Sequence, residues 1–260
     1  MKEVLIMVVV LLASGVQAQV VSDNFNSGIS SSWDVFAEGA PWTVDTLSGE
    51  GRLLVSKAQD NLTTNHMVAG LKSKYQLVGN FSACVDFELV NFPSGDFYDP
   101  TTPRGWNWAG LRISTTPSTY IWDTTNFVTL RGSPDVQGGL DGAEGWAYVL
   151  GEPTAYNIGN VRDTTMSGRF GVSREGDMIS AWLDRGSGLE LLGSFSSQAL
   201  NVPVYIQLYV GQIPSGYGRP HTALDIRYDN FTVTADSVIG VPEPATLLLL
   251  GIGGLILRKR

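Results

Sequence analysis

The sequence predicts an all-β protein whose body is a two-sheet antiparallel sandwich. Apolar and polar residues alternate with a period of two along most of the body, and no segment of it sustains a helical period. Gly, Asn, Asp and Pro cut the chain into a dozen or so strand-length pieces, roughly the number that two packed sheets need. In Phe81–Phe92 the side chains of Phe81, Ala83, Val85, Phe87, Leu89 and Asn91 share one face. Ser82, Cys84, Asp86, Glu88, Val90 and Phe92 share the other. Val204–Val210 and Ala223–Val233 alternate in the same way. Arg169–Arg174 and Met178–Leu183, joined by the turn Glu175-Gly176-Asp177, predict a hairpin. Further strands are expected near 42–46, 51–57, 68–77, 107–114, 126–131, 145–150 and 189–195. Neither an internal repeat nor a Pro- or Ser-rich linker divides this body.

The ends are of a different kind. Lys2, the apolar run Val4–Ala13 and the small residues of Val16-Gln17-Ala18 make residues 1–18 a signal peptide cleaved after Ala18. The sandwich is therefore expected over 19–237, with a sorting segment over 238–260. That segment reads Val241-Pro242-Glu243-Pro244-Ala245, then an apolar span over 245–257, then Arg258-Lys259-Arg260. Such a span makes a helix of roughly 20 Å, short of the ~30 Å hydrocarbon core. Pro242 and Pro244 stop it from extending backwards, and Glu243 is costly in lipid. The basic triplet stays cytoplasmic by the positive-inside bias, leaving the body outside.

Motif, span and basic end in that order resemble the PEP-CTERM signal of Gram-negative bacteria, in which an exosortase recognises Pro-Glu-Pro and removes the tail. The resemblance implies export through the Sec translocon and a transient inner-membrane intermediate. Delivery to the cell surface or extracellular matrix follows. It also implies a link with exopolysaccharide and biofilm.

Composition narrows the partners. Lys plus Arg number 17 against 25 Asp plus Glu, a net charge of −8, and the body carries no basic run. Nucleic acid is therefore excluded as a partner. The single Cys84 has no internal disulfide partner, and its place in an alternating strand predicts a buried free thiol.

A second resemblance spans the body. Its opening Ser22-Asp-Asn-Phe25 with Trp33, its middle Phe170–Trp182 and its closing Ile226-Arg-Tyr-Asp-Asn-Phe-Thr-Val233 look like the concanavalin A-like lectin/glucanase jelly roll. In that fold the first and last strands lie side by side. Its retaining glucanases carry Glu-x-Asp-x-Glu along one strand, setting nucleophile and acid/base ~5–5.5 Å apart. The matching strand here reads Cys84-Val-Asp86-Phe-Glu88. Asp86 and Glu88 keep the spacing, but Cys84 stands where the nucleophilic Glu belongs, which removes the covalent step. No Gly-x-Ser-x-Gly elbow, His-Glu-x-x-His or Cys/His cluster replaces it.

Segment 93–160 is rich in Gly, Pro, Asp and aromatics and holds four of the seven tryptophans. Sugar rings stack their C–H faces on aromatic planes while polar groups fix the hydroxyls. Trp106, Trp108, Arg112, Trp122, Trp146 and Tyr148 are accordingly the candidate glycan contacts, and Trp33, Trp42 and Trp182 are assigned to packing. The same resemblance implies either no cofactor or one structural calcium, held by the Asp229 side chain and the carbonyls of Asn24 and Gly51. The expected function is non-catalytic binding of extracellular polysaccharide or envelope glycan. A glucanase-type glycoside hydrolase and a purely structural biofilm-matrix protein remain the alternatives.

Overall fold

The computed structural model describes residues 18–47, 49–60, 67–93, 106–120, 123–132, 142–150, 156–162, 165–213 and 222–240, and over these the alternation resolves into fifteen strands. They are β1 (Gln19–Asp23), β2 (Trp33–Glu38), β3 (Trp42–Leu47), β4 (Arg52–Lys57), β5 (Met67–Ser73), β6 (Gln76–Asn91), β7 (Trp106–Ser114) and β8 (Asn126–Gly132). The series continues with β9 (Gly142–Tyr148), β10 (Tyr156–Arg162), β11 (Ser167–Glu175), β12 (Met178–Asp184), β13 (Leu189–Ser196), β14 (Tyr205–Ile213) and β15 (Leu224–Ile239). Most of the expected signal peptide (residues 1–17), the Pro-Glu-Pro motif, the apolar span and Trp122 lie outside the described residues.

Two sheets form. The eight-stranded sheet runs β13-β12-β11-β6-β15-β4-β3, with β1 also paired to β15; the seven-stranded sheet runs β10-β9-β8-β7-β14-β5-β2. Gln19–Asp23 pair in antiparallel register with Phe231–Ala235, so the first and last strands are neighbours as expected. β15 runs on to Ile239, two residues past the expected end of the body.

The core lies between the sheets. Phe81, Ala83, Val85, Phe87 and Leu89 of β6 are buried against it, and Phe87 stacks on Phe170 of β11 at 4.0 Å. The seven-stranded sheet answers with Leu111 and Ile113 of β7 and Ile206, Leu208 and Val210 of β14. Each such side chain contributes roughly 1.5–3 kcal/mol on full burial. Three buried hydrogen bonds fix one sheet over the other. The Tyr228 hydroxyl donates to the Tyr209 carbonyl at 2.9 Å and accepts the Gly110 amide at 3.1 Å. Thr129 Oγ1 donates to the Gly171 carbonyl at 2.7 Å.

Three expectations change. The stretch 68–77 is not one strand: the chain bends at Lys74–Tyr75, where the Lys74 amide donates to the Ser32 carbonyl, and Gln76 begins β6. The β11–β12 turn has two residues, because Glu175 pairs with Met178 and Gly176 takes a φ of 58°, a conformation glycine adopts without a Cβ penalty. Cys84 is free but only half-buried: with Ala83 and Val85 turned into the core, its thiol points outward, 3.1 Å from Thr232 Oγ1.

Candidate functional site

Antiparallel register carries side-chain parity from strand to strand, so residues far apart in sequence can be assigned to a common face. Across the seven-stranded sheet, Arg112 of β7 stands opposite Val128 of β8, Val128 opposite Trp146 of β9, and Trp146 opposite Asn157 of β10. One step along, Ser114, Asn126 and Tyr148 form the next row, and in the other direction Trp108 pairs with Gly132. Since Ala109, Leu111 and Ile113 point into the core, the residues Trp108, Arg112, Trp146 and Tyr148 all belong to the outer face. Trp106 opens β7 opposite Ile213. The structure thus gathers on one face the described glycan candidates that the sequence placed loosely across a long segment.

That face is graded from covered to open. β7 from Asn107 to Ser114 and β14 from Ile206 to Gln212 are buried on both sides. Trp108 lies over Gly211, where a Cβ would stand 2.3 Å from the indole, and stacks on Tyr209 at 6.1 Å. Phe36 of β2 continues the aromatic line beyond Tyr209 at 6.5 Å. Trp146 and Tyr148 are half-buried and Asn157 is exposed, while Ile158, next to it, packs on the core. Trp108 and Arg112 were expected as glycan contacts. They are packed instead, and form the floor and wall of the face rather than its accessible part.

The segment Thr115–Tyr120 folds over this wall. Arg112 Nη1 donates to the Thr119 carbonyl at 3.0 Å and to Gln207 Oε1 at 2.9 Å. Gln207 Nε2 holds the Ser118 carbonyl at 3.1 Å, and Thr119 Oγ1 donates to Glu38 Oε1 at 2.5 Å. The guanidinium also lies 5.6 Å from the centre of the Tyr209 ring, a cation–π distance. Burial pulls the Arg112 pKa down to about 10, with Tyr209 opposing that shift, so the group stays charged at neutral pH. Burial pushes the Tyr209 phenol up to about 12, partly offset by Arg112. Phe36, Glu38, Gln207 and Tyr209 were missed from sequence. The signal for two of them was present in β14, where Gln207 and Tyr209 share the parity opposite to Leu208.

The carboxylate candidates sit elsewhere. Asp86 and Glu88 point outward from β6 in the eight-stranded sheet, on the far side of the sandwich from Trp146. Arg169 Nε donates to Asp86 Oδ1 at 2.5 Å and Asn230 Nδ2 to Asp86 Oδ2 at 2.9 Å. Arg52 Nη1 meets Glu88 Oε2 at 2.5 Å. With Arg227, Asp229 and Ser167 they line a 330 Å³ depression. Arg169 is held above its ordinary pKa chiefly by the hydrogen bond to Asp86, with burial opposing. Of the tryptophans assigned to packing, Trp33 is buried and its indole donates to Asp23 Oδ2 at 3.0 Å. Trp42 is partly buried against the core. Trp182 is half-buried on the outer face of the eight-stranded sheet, bonded to Ser173 Oγ at 2.9 Å.

The calcium candidates come from segments that meet at one corner. Gly51 lies against Asn26, and Asn24 and Asn230 line a common 510 Å³ depression, while Asp229 lines its neighbour. Asp229 Oδ1 accepts the Asn230 amide at 2.7 Å, and Asn230 sits at a φ of 48° in the bulge of β15. Among the described residues no three His, Cys, Asp or Glu side chains gather around a metal position. One carboxylate with backbone carbonyls is a hard-oxygen set that suits a weak calcium site of the extracellular kind.

Comparison with known proteins bears on the C-terminal segment and on the fold of the body. Residues 240–260 match the PEP-CTERM protein-sorting motif, which marks an exported surface protein sorted by exosortase. No curated protein sequence matches the chain. Among solved structures the chain is similar to a non-specific endo-β-1,3(4)-glucanase of family GH16, at 11% identity and a TM-score of 0.56, over 84% of this chain and 94% of that one. LamAcat from Zobellia galactanivorans aligns at 13% identity and TM-score 0.56, over 82% and 96%. Basic winged bean lectin, solved with Tn-antigen, aligns at 10% and 0.53, over 83% and 98%. The fold is the all-β concanavalin A-like sandwich that glucanases and lectins share.

Proposed function

We propose that this protein is a non-catalytic binder of extracellular polysaccharide or cell-envelope glycan, acting through the outer face of the seven-stranded sheet. The observation that supports it is the register that brings Trp108, Arg112, Trp146 and Tyr148 to one face. Trp146 and Tyr148, with Asn157 beside them, offer half-buried aromatic surface for the C–H faces of sugar rings and a polar group for hydroxyls. Trp108, Tyr209 and Phe36 pack together on the same outer face, on the side of β14 and β2.

Residues 1–18 direct export through the Sec translocon and are removed after Ala18 as the chain crosses. The apolar span 245–257 then holds the chain briefly in the inner membrane of a Gram-negative cell, with Arg258, Lys259 and Arg260 on the cytoplasmic side. Exosortase reads Pro242, Glu243 and Pro244 and releases the body to the surface or matrix. A calcium ion held by Asp229 and the carbonyls of Asn24 and Gly51 would tie the first strand to the last. It would stabilise the corner without entering the binding face.

The test is a titration with a panel of polysaccharides, including the producer's own matrix, followed by tryptophan fluorescence with calcium and then with chelator. The reading predicts saturable quenching that persists in chelator, together with a lower melting temperature once calcium is removed. Release of reducing ends would instead make the protein a glycoside hydrolase. A flat response without such release would make it a structural matrix protein.

A further inference from the structure

Arg112 and Arg174 are both buried arginines that clasp backbone carbonyls of a following loop, and the two are satisfied to very different degrees. Arg174 Nε donates to the Gly79 carbonyl at 2.7 Å, and its Nη1 reaches the Leu200 and Val202 carbonyls at 2.5 and 2.7 Å. Asp236 adds a favourable charge nearby. Arg112 Nη1 is well used, by Gln207 and Thr119, with the Ser118 carbonyl at 3.5 Å besides. Among the described residues its Nε has no acceptor and its Nη2 has only the Tyr120 carbonyl at 3.4 Å, near the limit of a hydrogen bond. Among the described residues no carboxylate pairs with Arg112, whereas Arg52, Arg169 and Arg227 on the opposite outer face are all carboxylate-paired.

The underused donors are not scattered. Nε–H and the adjacent Nη2–H form the side-on edge of a guanidinium, two parallel donors whose spacing matches the two oxygens of a carboxylate. A buried cation left without a counter-ion is costly, and dipoles of a few carbonyls offset that cost incompletely. The edge belongs to the same cross-strand row as Trp146, the half-buried indole of the proposed glycan face.

We propose that Arg112 recognises a carboxylate on the bound glycan, so that the ligand of this face is an acidic, uronate-bearing polysaccharide. This rests on the glycan-binding reading and narrows its ligand class. One carboxylate oxygen accepts from Nε and the other from Nη2, taking the place of the distant Tyr120 carbonyl. Gln207 and Thr119 keep Nη1 fixed. The Thr115–Tyr120 segment shifts to admit the sugar beside Trp146.

The full chain in detergent is titrated with polygalacturonate and with its carboxyl-reduced, neutral counterpart, followed by tryptophan fluorescence. Binding to the acidic polymer should be roughly ten-fold or more tighter, the scale of a charge-assisted bidentate contact. Arg112→Gln should abolish the difference between the two polymers. Methyl esterification of the polymer supplies a check that needs no variant, and the esterified form should bind the unaltered chain as weakly as the neutral one. Equal affinity for acidic and neutral polymers, or a loss in Arg112→Gln that is the same for both, overturns the proposal and leaves glycan binding intact. Absence of binding to either polymer, and to every polysaccharide of the wider panel, overturns the glycan-binding reading and this proposal with it.

Discussion

The two outer faces of the sandwich follow opposite rules. On the eight-stranded sheet, β6 alternates between core residues and outward carboxylates, and arginines of β4, β11 and β15 pair with those carboxylates at the surface. On the seven-stranded sheet, the two central strands are buried on both sides, by the core on one and by aromatics and the Thr115–Tyr120 segment on the other. The first face has its charges paired and its surface wet. The second has a packed aromatic line, a covered arginine whose Nε is left without an acceptor among the described residues, and a half-buried margin at Trp146 and Tyr148. Antiparallel sheets commonly leave one face to water, so a second covered face is the contrast that favours the proposed glycan site on the seven-stranded side.

Substitution should separate the faces. The largest effect is expected at the two arginine clasps. Arg174→Met leaves three short carbonyl bonds unmade and should cost about 3 kcal/mol in urea unfolding, whereas Arg112→Met, with its weaker set, should cost about 1 kcal/mol. Equal losses would mean that Arg112 is as firmly engaged as its counterpart. A smaller effect is expected from Glu38→Ala, which removes the Thr119 contact: amide exchange in the Ser118–Tyr120 segment should speed up several-fold while global stability falls by less than about 1 kcal/mol. On the opposite face, Asp86→Asn and Glu88→Gln break partly exposed ion pairs. Each should shift stability by no more than about 1 kcal/mol, less at high salt, and leave polysaccharide binding unchanged.

The smallest effect is a matter of pH. The Gly186 and Gly188 amides hold the exposed Asp184 carboxylate below its ordinary value of 3.8. A depressed carboxylate stabilises the fold above the unfolded value and loses that contribution as pH falls through the folded one. The urea midpoint of Asp184→Asn should therefore decline slightly less steeply below about pH 4 than that of the unaltered chain.

Much of this was legible in the sequence. Alternation alone placed β6, β14 and β15 and assigned Phe81, Val85 and Phe87 to one face, because a period of two leaves little freedom about which side is buried. The opening and closing motifs anticipated the β1–β15 pairing. Alternation alone does not show β1, because it is short and largely exposed, Val20 being 68% accessible and Val21 being its one hydrophobic residue packed on the core. β10 reads as a turn, Asn157-Ile-Gly-Asn160. It is a strand because it bulges at Ile158 and packs its backbone on β13, where a Cβ on Gly159 would stand 2.0 Å from the Leu192 carbonyl. The candidate residues of the site could be picked by type, yet their convergence depends on register across β7, β8 and β9. Their covering depends on a segment folded back over the sheet. Neither is written in local periodicity, and for that reason Arg112 reads as a glycan contact in sequence and stands buried in the fold.

Each outer face carries one described half-buried indole, Trp146 on the seven-stranded sheet and Trp182 on the eight-stranded sheet. The most direct measurement is a calorimetric titration of the same polysaccharide into the full chain, into Trp146→Ala and into Trp182→Ala. The account predicts that Trp146→Ala loses at least ten-fold in affinity, the scale of one well-used aromatic contact, and that Trp182→Ala binds as the unaltered chain does. Retained binding in Trp146→Ala, or a loss confined to Trp182→Ala, would contradict it.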